Sequence, residues 1–212
     1  TLPHYPLGIF HSSSATTQLK PLERYEPPLR VPFDYFQDEQ GQVRGVAKMP
    51  GSGPTWLDAY ASVPDREGNP RLVASYAKIH TPLEPYERGL CVWNEELENF
   101  TRLKVIWSET EDVGKSPLIP SGHAFFWEDP AGKRRLLFGN PLPTMSCLAT
   151  FEAWQNPSQW EPIVPQSKLL AADDGRAIEP HSGSVAWHPW RERWVTVFMQ
   201  RFGKPSAFGE LW

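Results

Sequence analysis

The chain is 212 residues long, with 40% hydrophobic and 22% charged residues, a balance that supports a packed core and excludes wholesale disorder. Lys and Arg total 21 against 25 Asp and Glu, and the formal charge of −4 argues against nucleic-acid binding through a basic field. No window approaches the ~18–20 apolar residues of a membrane helix, so the sequence reads as that of a soluble protein.

The 23 Pro and 15 Gly are spread along the chain, as in proteins of many short strands and turns. Ten Trp and 11 Phe suit large flat sheet contacts and equally suit sugar-binding clefts. Two Cys do not make a disulfide framework. Long amphipathic helices are nearly absent. The stretches most open to a helical reading are Trp93 to Phe100 and Phe151 to Trp160, and Asn156-Pro157-Ser158 makes the second more turn than helix. The expected class is all-β.

In chain order, residues 1–50 supply part of a unit: a strand-like Leu7 to His11, then a hairpin-like pair, Val31 to Phe36 and Gln42 to Ala47, around Glu39-Gln40-Gly41. Three hairpins on one plan follow. The first runs from Trp56 to Val63, turns through Pro64-Asp-Arg-Glu-Gly-Asn-Pro70 and returns from Arg71 to Ala77. The second runs from Gly122 to Glu128, turns through Asp129-Pro-Ala-Gly-Lys133 and returns from Arg134 to Gly139. The third runs from Gly183 to His188, turns through Pro189-Trp-Arg-Glu-Arg193 and returns from Trp194 to Met199. Third strands are expected at Gly89 to Trp93, Met145 to Phe151 and Ala207 to Trp212, with fourth strands near Phe100 to Ile106 and Trp160 to Val164. Cys91 and Cys147 fall at matching places on third strands.

With Asp58, His123 and Ser184 as equivalent starts, the offsets are 123 − 58 = 65 and 184 − 123 = 61. Four antiparallel strands at this period are the signature of β-propeller blades, and an ordinary β-sandwich is the alternative. The predicted organisation is one propeller domain over 1–212, with units at 1–50 (partial), 54–110, 118–170 and 179–212 (incomplete). Three units and a part do not close a typical ring, so the expectation is a piece of a larger propeller or one completed by another chain.

In a propeller the leading ends of the first strands converge at one mouth of the central funnel. Here those ends are Trp56-Leu57-Asp58, Ser121-Gly122-His123 and His181-Ser182-Gly183, with Glu179 two residues before His181. The loops after the second strands add Lys78, His80, Glu84, Glu87 and Arg201. Three ionisable residues at equivalent points make a candidate site. The competing reading has Asp58 capping a turn or holding a neighbouring loop amide, and both histidines satisfied by backbone carbonyls. Asp65, Glu67, Asp129, Glu192 and Arg193 sit in hairpin turns and read as solvated, while Asp173-Asp174-Gly175 is turn chemistry. Trp127, Trp187 and Trp194 are expected to pack between blades, and Trp56 is the candidate for stacking on a ligand ring. Nucleophile-elbow, phosphate-loop, dinucleotide and zinc motifs are all missing from the sequence. No cofactor is expected; a divalent cation held by Asp58, His123 and His181 is chemically allowed.

The axial Asp58 in Trp56-Leu-Asp-Ala-Tyr, the two Asp-headed hairpin turns and the Phe151-to-Trp160 segment resemble the five-bladed β-propeller glycoside hydrolases of the arabinanase and levansucrase-like clan. The run from His181 to Trp194, with Phe208-Gly-Glu-Leu-Trp212, resembles bacterial propeller proteins of unknown function. The resemblance covers about residues 50–212. It implies hydrolysis or transfer of glycosidic bonds in an oligosaccharide by carboxylates at the funnel mouth. By that resemblance Asp58 is base or nucleophile and Glu179 or His123 the proton donor. Trp56, Lys78, Glu84, His181 and Arg201 hold the substrate. The next two blades carry histidine where the clan offers acids, so a non-catalytic carbohydrate-binding or scaffolding propeller is the alternative. A metal-dependent lyase or hydrolase ranks third. A secreted or periplasmic location is favoured over the cytoplasm, and oligomeric state is left open.

Overall fold

The computed structural model describes residues 12–18, 31–80, 83–112, 114–164, 168–202 and 209–212. Its first strands are short: β1 (Ala15–Thr16) pairs antiparallel with β2 (Asp34–Tyr35). The hairpin expected around Glu39-Gln40-Gly41 is present, with Gln37 bridged to Val43. Leu7 to His11 lies outside the described residues.

Four long strands follow. β3 (Thr55–Pro64), β4 (Pro70–His80), β5 (Glu84–Asn94) and β6 (Asn99–Ser108) form an antiparallel sheet in chain order. The second sheet repeats that order with β7 (His123–Glu128), β8 (Arg134–Gly139), β9 (Pro143–Leu148) and β10 (Glu161–Pro162). Between β9 and β10 sits α1 (Phe151–Trp154), N-capped by the Thr150 side chain. β11 (Leu169–Leu170) pairs with β12 (Ala177–Ile178), and β13 (Pro180–His188) pairs with β14 (Arg193–Gln200). Of the third strand expected at Ala207 to Trp212, the described part pairs with β14: Met199 bridges Leu211, and Phe198 and Trp212 exchange backbone hydrogen bonds. Strand accounts for 52% of the described residues and helix for 4%, so the all-β class is correct. The helix-compatible stretch Trp93 to Phe100 is the tip of the β5–β6 hairpin instead.

One turn chemistry recurs three times. Asp38, Asp65 and Asp129 each accept two backbone N–H groups on Oδ1, from Gln40 and Gln42, Glu67 and Asn69, and Ala131 and Lys133 respectively. A glycine three residues after each aspartate takes a φ of +73°, +85° or +74°, a conformation that other residues adopt only at a cost. These carboxylates hold their turns, so Asp65 and Asp129, expected to be simply solvated, are engaged by backbone amides.

Strand alternation then gives each sheet two buried faces. Ala61, Val63, Val73, Leu90 and Val92 leave the front of the first sheet and meet Leu136, Phe138, Met145 and Cys147 from the rear of the second. Ala74, Tyr76, Cys91 and Phe100 on the rear of the first sheet bury Val46, Ala47 and Met49. Phe125 and Leu137, on the front of the second, meet Val185 of β13. The layers are therefore stacked in chain order.

Ladder register corrects two sequence matches. Ser75, Gly139 and Phe198 each lie five residues into their second strands, and their partners are Asp58, His123 and Gly183. The counterpart in the last hairpin is thus Gly183, an offset of 183 − 123 = 60, and not Ser184. Gly122 and Gly183, whose similarity suggested the other match, stand one step apart in the ladder. The cysteines also differ: Cys91 lies opposite Ala74, whereas the residue opposite its equivalent, Phe138, is Met145. Cys147 lies two positions farther along the same face. Both are free and buried.

Candidate functional site

A cleft of about 370 Å³ opens at the leading end of β3, between the front of the first sheet and the segment that precedes β7. Trp56, Asp58, Ser75, Ile79, Arg88 and Ser121 line it. Ladder pairing explains the convergence: Trp56 lies opposite Ala77 and Asp58 opposite Ser75, so all four side chains leave one face. Trp56 is 38% exposed, which leaves its ring available to a ligand.

Asp58 is already engaged. Its Oδ1 accepts from the Ala59 N–H at 2.9 Å and its Oδ2 from the Gly122 N–H at 2.8 Å. Ala59 sits at φ +52° in a bulge of the β3–β4 ladder. The bond to Gly122 joins the first sheet to the segment leading into the second, 64 residues away.

The other predicted residues lie apart from Asp58. Lys78 is closed to solvent, and its ammonium donates to the carbonyls of Met49, Gly51 and Gly53 at 3.2, 3.1 and 2.8 Å. All three N–H donors are used within the fold, so Lys78 fastens the 49–53 loop and is not placed to hold a substrate. Burial pushes its pKa below the ordinary lysine value, with Glu87 opposing that effect. Glu87 accepts from the Tyr76 hydroxyl at 2.8 Å and from Arg102 at 2.6 Å. Burial, reinforced by that carboxylate, raises the Tyr76 phenol far above its usual range.

Glu84 is exposed at the start of β5, between the cleft residues Leu83 and Pro85. His80 approaches Glu109 at 3.5 Å and stacks on Tyr86. His123 stacks on Phe125 with ring centroids 6.0 Å apart. His181 is half-buried in β13, at an irregularity of the ladder between Pro180 and Ser182. Glu179 and Arg201 pair with each other at 3.3 Å, both well exposed. Among the described residues no three His, Cys, Asp or Glu side chains converge as metal ligands.

The three tryptophans expected between layers occupy that place incompletely. Trp194 meets Phe125 at 5.2 Å and Trp187 at 5.5 Å, yet Trp127, Trp194 and Trp187 remain 36%, 37% and 48% exposed. Trp127 and Trp194 border a cavity of about 680 Å³, lined also by Phe125, Leu137, Val185 and Arg135. Arg135 bonds Glu161 at 2.6 Å and Ser146 at 3.0 Å, so its charge is satisfied there.

Arg88 is the residue the sequence reading missed. It follows the strand phase of Leu90 and Val92 and is therefore a cation on the buried face of β5. That phase, a charge among apolar residues at period two, was the available signal. The chain matches no family model, no curated protein and no solved structure.

Proposed function

We propose that this chain forms consecutive blades of a β-propeller that binds carbohydrate at the Trp56 cleft. Support for the propeller comes from two four-stranded meanders in identical strand order, with matching hairpin turns, stacked front to rear. A third hairpin continues the stack. A sandwich has no need of such residue-by-residue equivalence between successive sheets.

The observation that carries the binding function is the pairing of an exposed Trp56 ring with a carboxylate whose oxygens are both committed. Asp58 is the sole acid among the described residues lining the cleft, and each of its oxygens holds a backbone amide. Hydrolysis by two carboxylates needs a second acid about 5–10 Å away. A stacking platform with polar neighbours is sufficient for binding. The test is calorimetric titration with furanosyl and pyranosyl oligosaccharides, combined with assay of product release. The expected result is binding that is lost in Trp56→Ala and no turnover.

Glycoside hydrolysis is the second reading, favoured by the position of Asp58 beside Trp56 in that cleft. Release of product that vanishes in Asp58→Asn, with the fold retained, would establish it in place of simple binding.

A further inference from the structure

Arg88 differs from the other arginines around the first sheet. Arg44 pairs with Glu98 and Arg102 with Glu87, whereas Arg88 makes no ion pair among the described residues; its buried Nε, like that of Arg102, has no acceptor there. Directly opposite on β6 stands Trp107, 9% exposed, whose indole Nε1 is also buried without an acceptor. Opposed residues in an antiparallel ladder leave the same face. Arg88 lines the cleft, and Trp107 is its ladder partner on that face.

Leaving such donors unsatisfied is unfavourable, and an oxyanion beside the guanidinium supplies acceptors. The planar guanidinium fork matches carboxylate and sulfate oxygens, and the ~300–1,000 Å³ range of small-ligand sites includes this cleft. The charged groups facing Arg88 are few. Asp58, on the same face, stands two strands away, roughly 10 Å at ordinary strand spacing, and is held by its two amides. Glu87 leaves the opposite face and is bound to Tyr76 and Arg102.

We infer that Arg88, with Trp107 as its ladder partner, forms an anion subsite on the sheet face that also carries Trp56, so that the ligand of this cleft is an acidic sugar whose carboxylate or sulfate meets the guanidinium. This rests on the carbohydrate-binding reading above. Trp56 stacks the ring, and Arg88 selects the charge.

Titration of the full chain with three probes tests it: a galacturonic-acid oligomer, a neutral galactose oligomer of equal length, and its 6-sulfated form. The expected result is at least tenfold tighter binding of one or both acidic probes at low salt. The preference shrinks as salt rises and disappears in Arg88→Gln. Which acidic probe wins identifies the oxyanion. Equal affinity for acidic and neutral probes overturns the subsite and leaves sugar binding standing. If no oligomer binds, the sugar reading falls. Thermal stabilisation by inorganic sulfate, present in the wild type and missing in the variant, then still supports the subsite, and no stabilisation overturns it. Should Arg88→Gln fail to fold, the wild-type preference and its loss in Trp107→Phe decide the matter.

Discussion

The Asp58 carboxylate and the Gly122 amide, 2.8 Å apart, tie the first sheet to the segment that leads into the second. This bond stands at the structurally equivalent leading ends of β3 and β7. Gly122 is held at φ +78°, and a Cβ there would run into the backbone carbonyl of Gly139. The position therefore requires glycine twice over, and Asp58 supplies the acceptor that its N–H needs. The carboxylate positions the next sheet relative to the first.

Asp58→Ala is expected to lower stability by about 1–3 kcal/mol, because it leaves a partly buried N–H without an acceptor. Asp58→Asn keeps one side-chain oxygen and should lose less. Denaturant midpoints with unchanged slope check this, and an Asp58→Ala midpoint equal to that of the wild type would rule out a structural bond of any weight.

Lys78→Met is expected to cost about 3 kcal/mol or more, since three carbonyls of the 49–53 loop lose their donors together. The same variant should be cut faster by protease within that loop. If Lys78 instead served a ligand, the variant would lose binding while melting at the wild-type temperature.

Stability should fall at alkaline pH. Burial pushes the Cys147 thiol from an ordinary value of 9.0 up to about 12, and raises Cys91 further. Below pH 9 both folded and unfolded states keep the Cys147 proton, so its contribution is fully present. Between 9 and 12 the unfolded chain releases a proton that the fold retains, and stability declines by at most about 1.4 kcal/mol per pH unit for this group. Lys78 acts oppositely: its lowered pKa makes stability rise with pH between that value and the ordinary one. Comparing the wild type with Cys147→Ala cancels the lysine. The variant should show the shallower decline, and parallel curves would contradict the assignment. Both native thiols should also resist thiol reagents until the protein unfolds.

Trp56→Ala should abolish or greatly weaken oligosaccharide binding at small cost in stability, because the ring is substantially exposed. Binding affinity together with the melting temperature checks both halves of this statement.

Gly139→Ala is expected to destabilise by more than about 2 kcal/mol, since its methyl group would collide with the backbone of Leu142 and Pro143. Equilibrium unfolding measures the loss, and a wild-type midpoint would mean that this backbone yields easily.

Much of the strand plan was legible because it is written locally. Turn residues such as Asp65 and Gly68 act through bonds within five positions, and strand alternation is a property of adjacent residues. The fates of particular polar groups were not. Lys78 reads like any strand-end lysine until Met49, Gly51 and Gly53 are folded against it. Glu179 and Arg201 read as separate site residues until β13 and β14 pair and bring them to 3.3 Å. The strand phase of Arg88 is local, but that no described acid pairs with it follows only from the folded sheet.

The sequence by itself determined that the chain is all-β and where its principal hairpins turn, because those depend on chemistry within a few residues. Tertiary structure alone decided which polar groups are spent on the fold and which face the cleft. Hydrogen bonds and desolvation depend on partners brought together from distant parts of the chain, as Asp58 and Gly122 are.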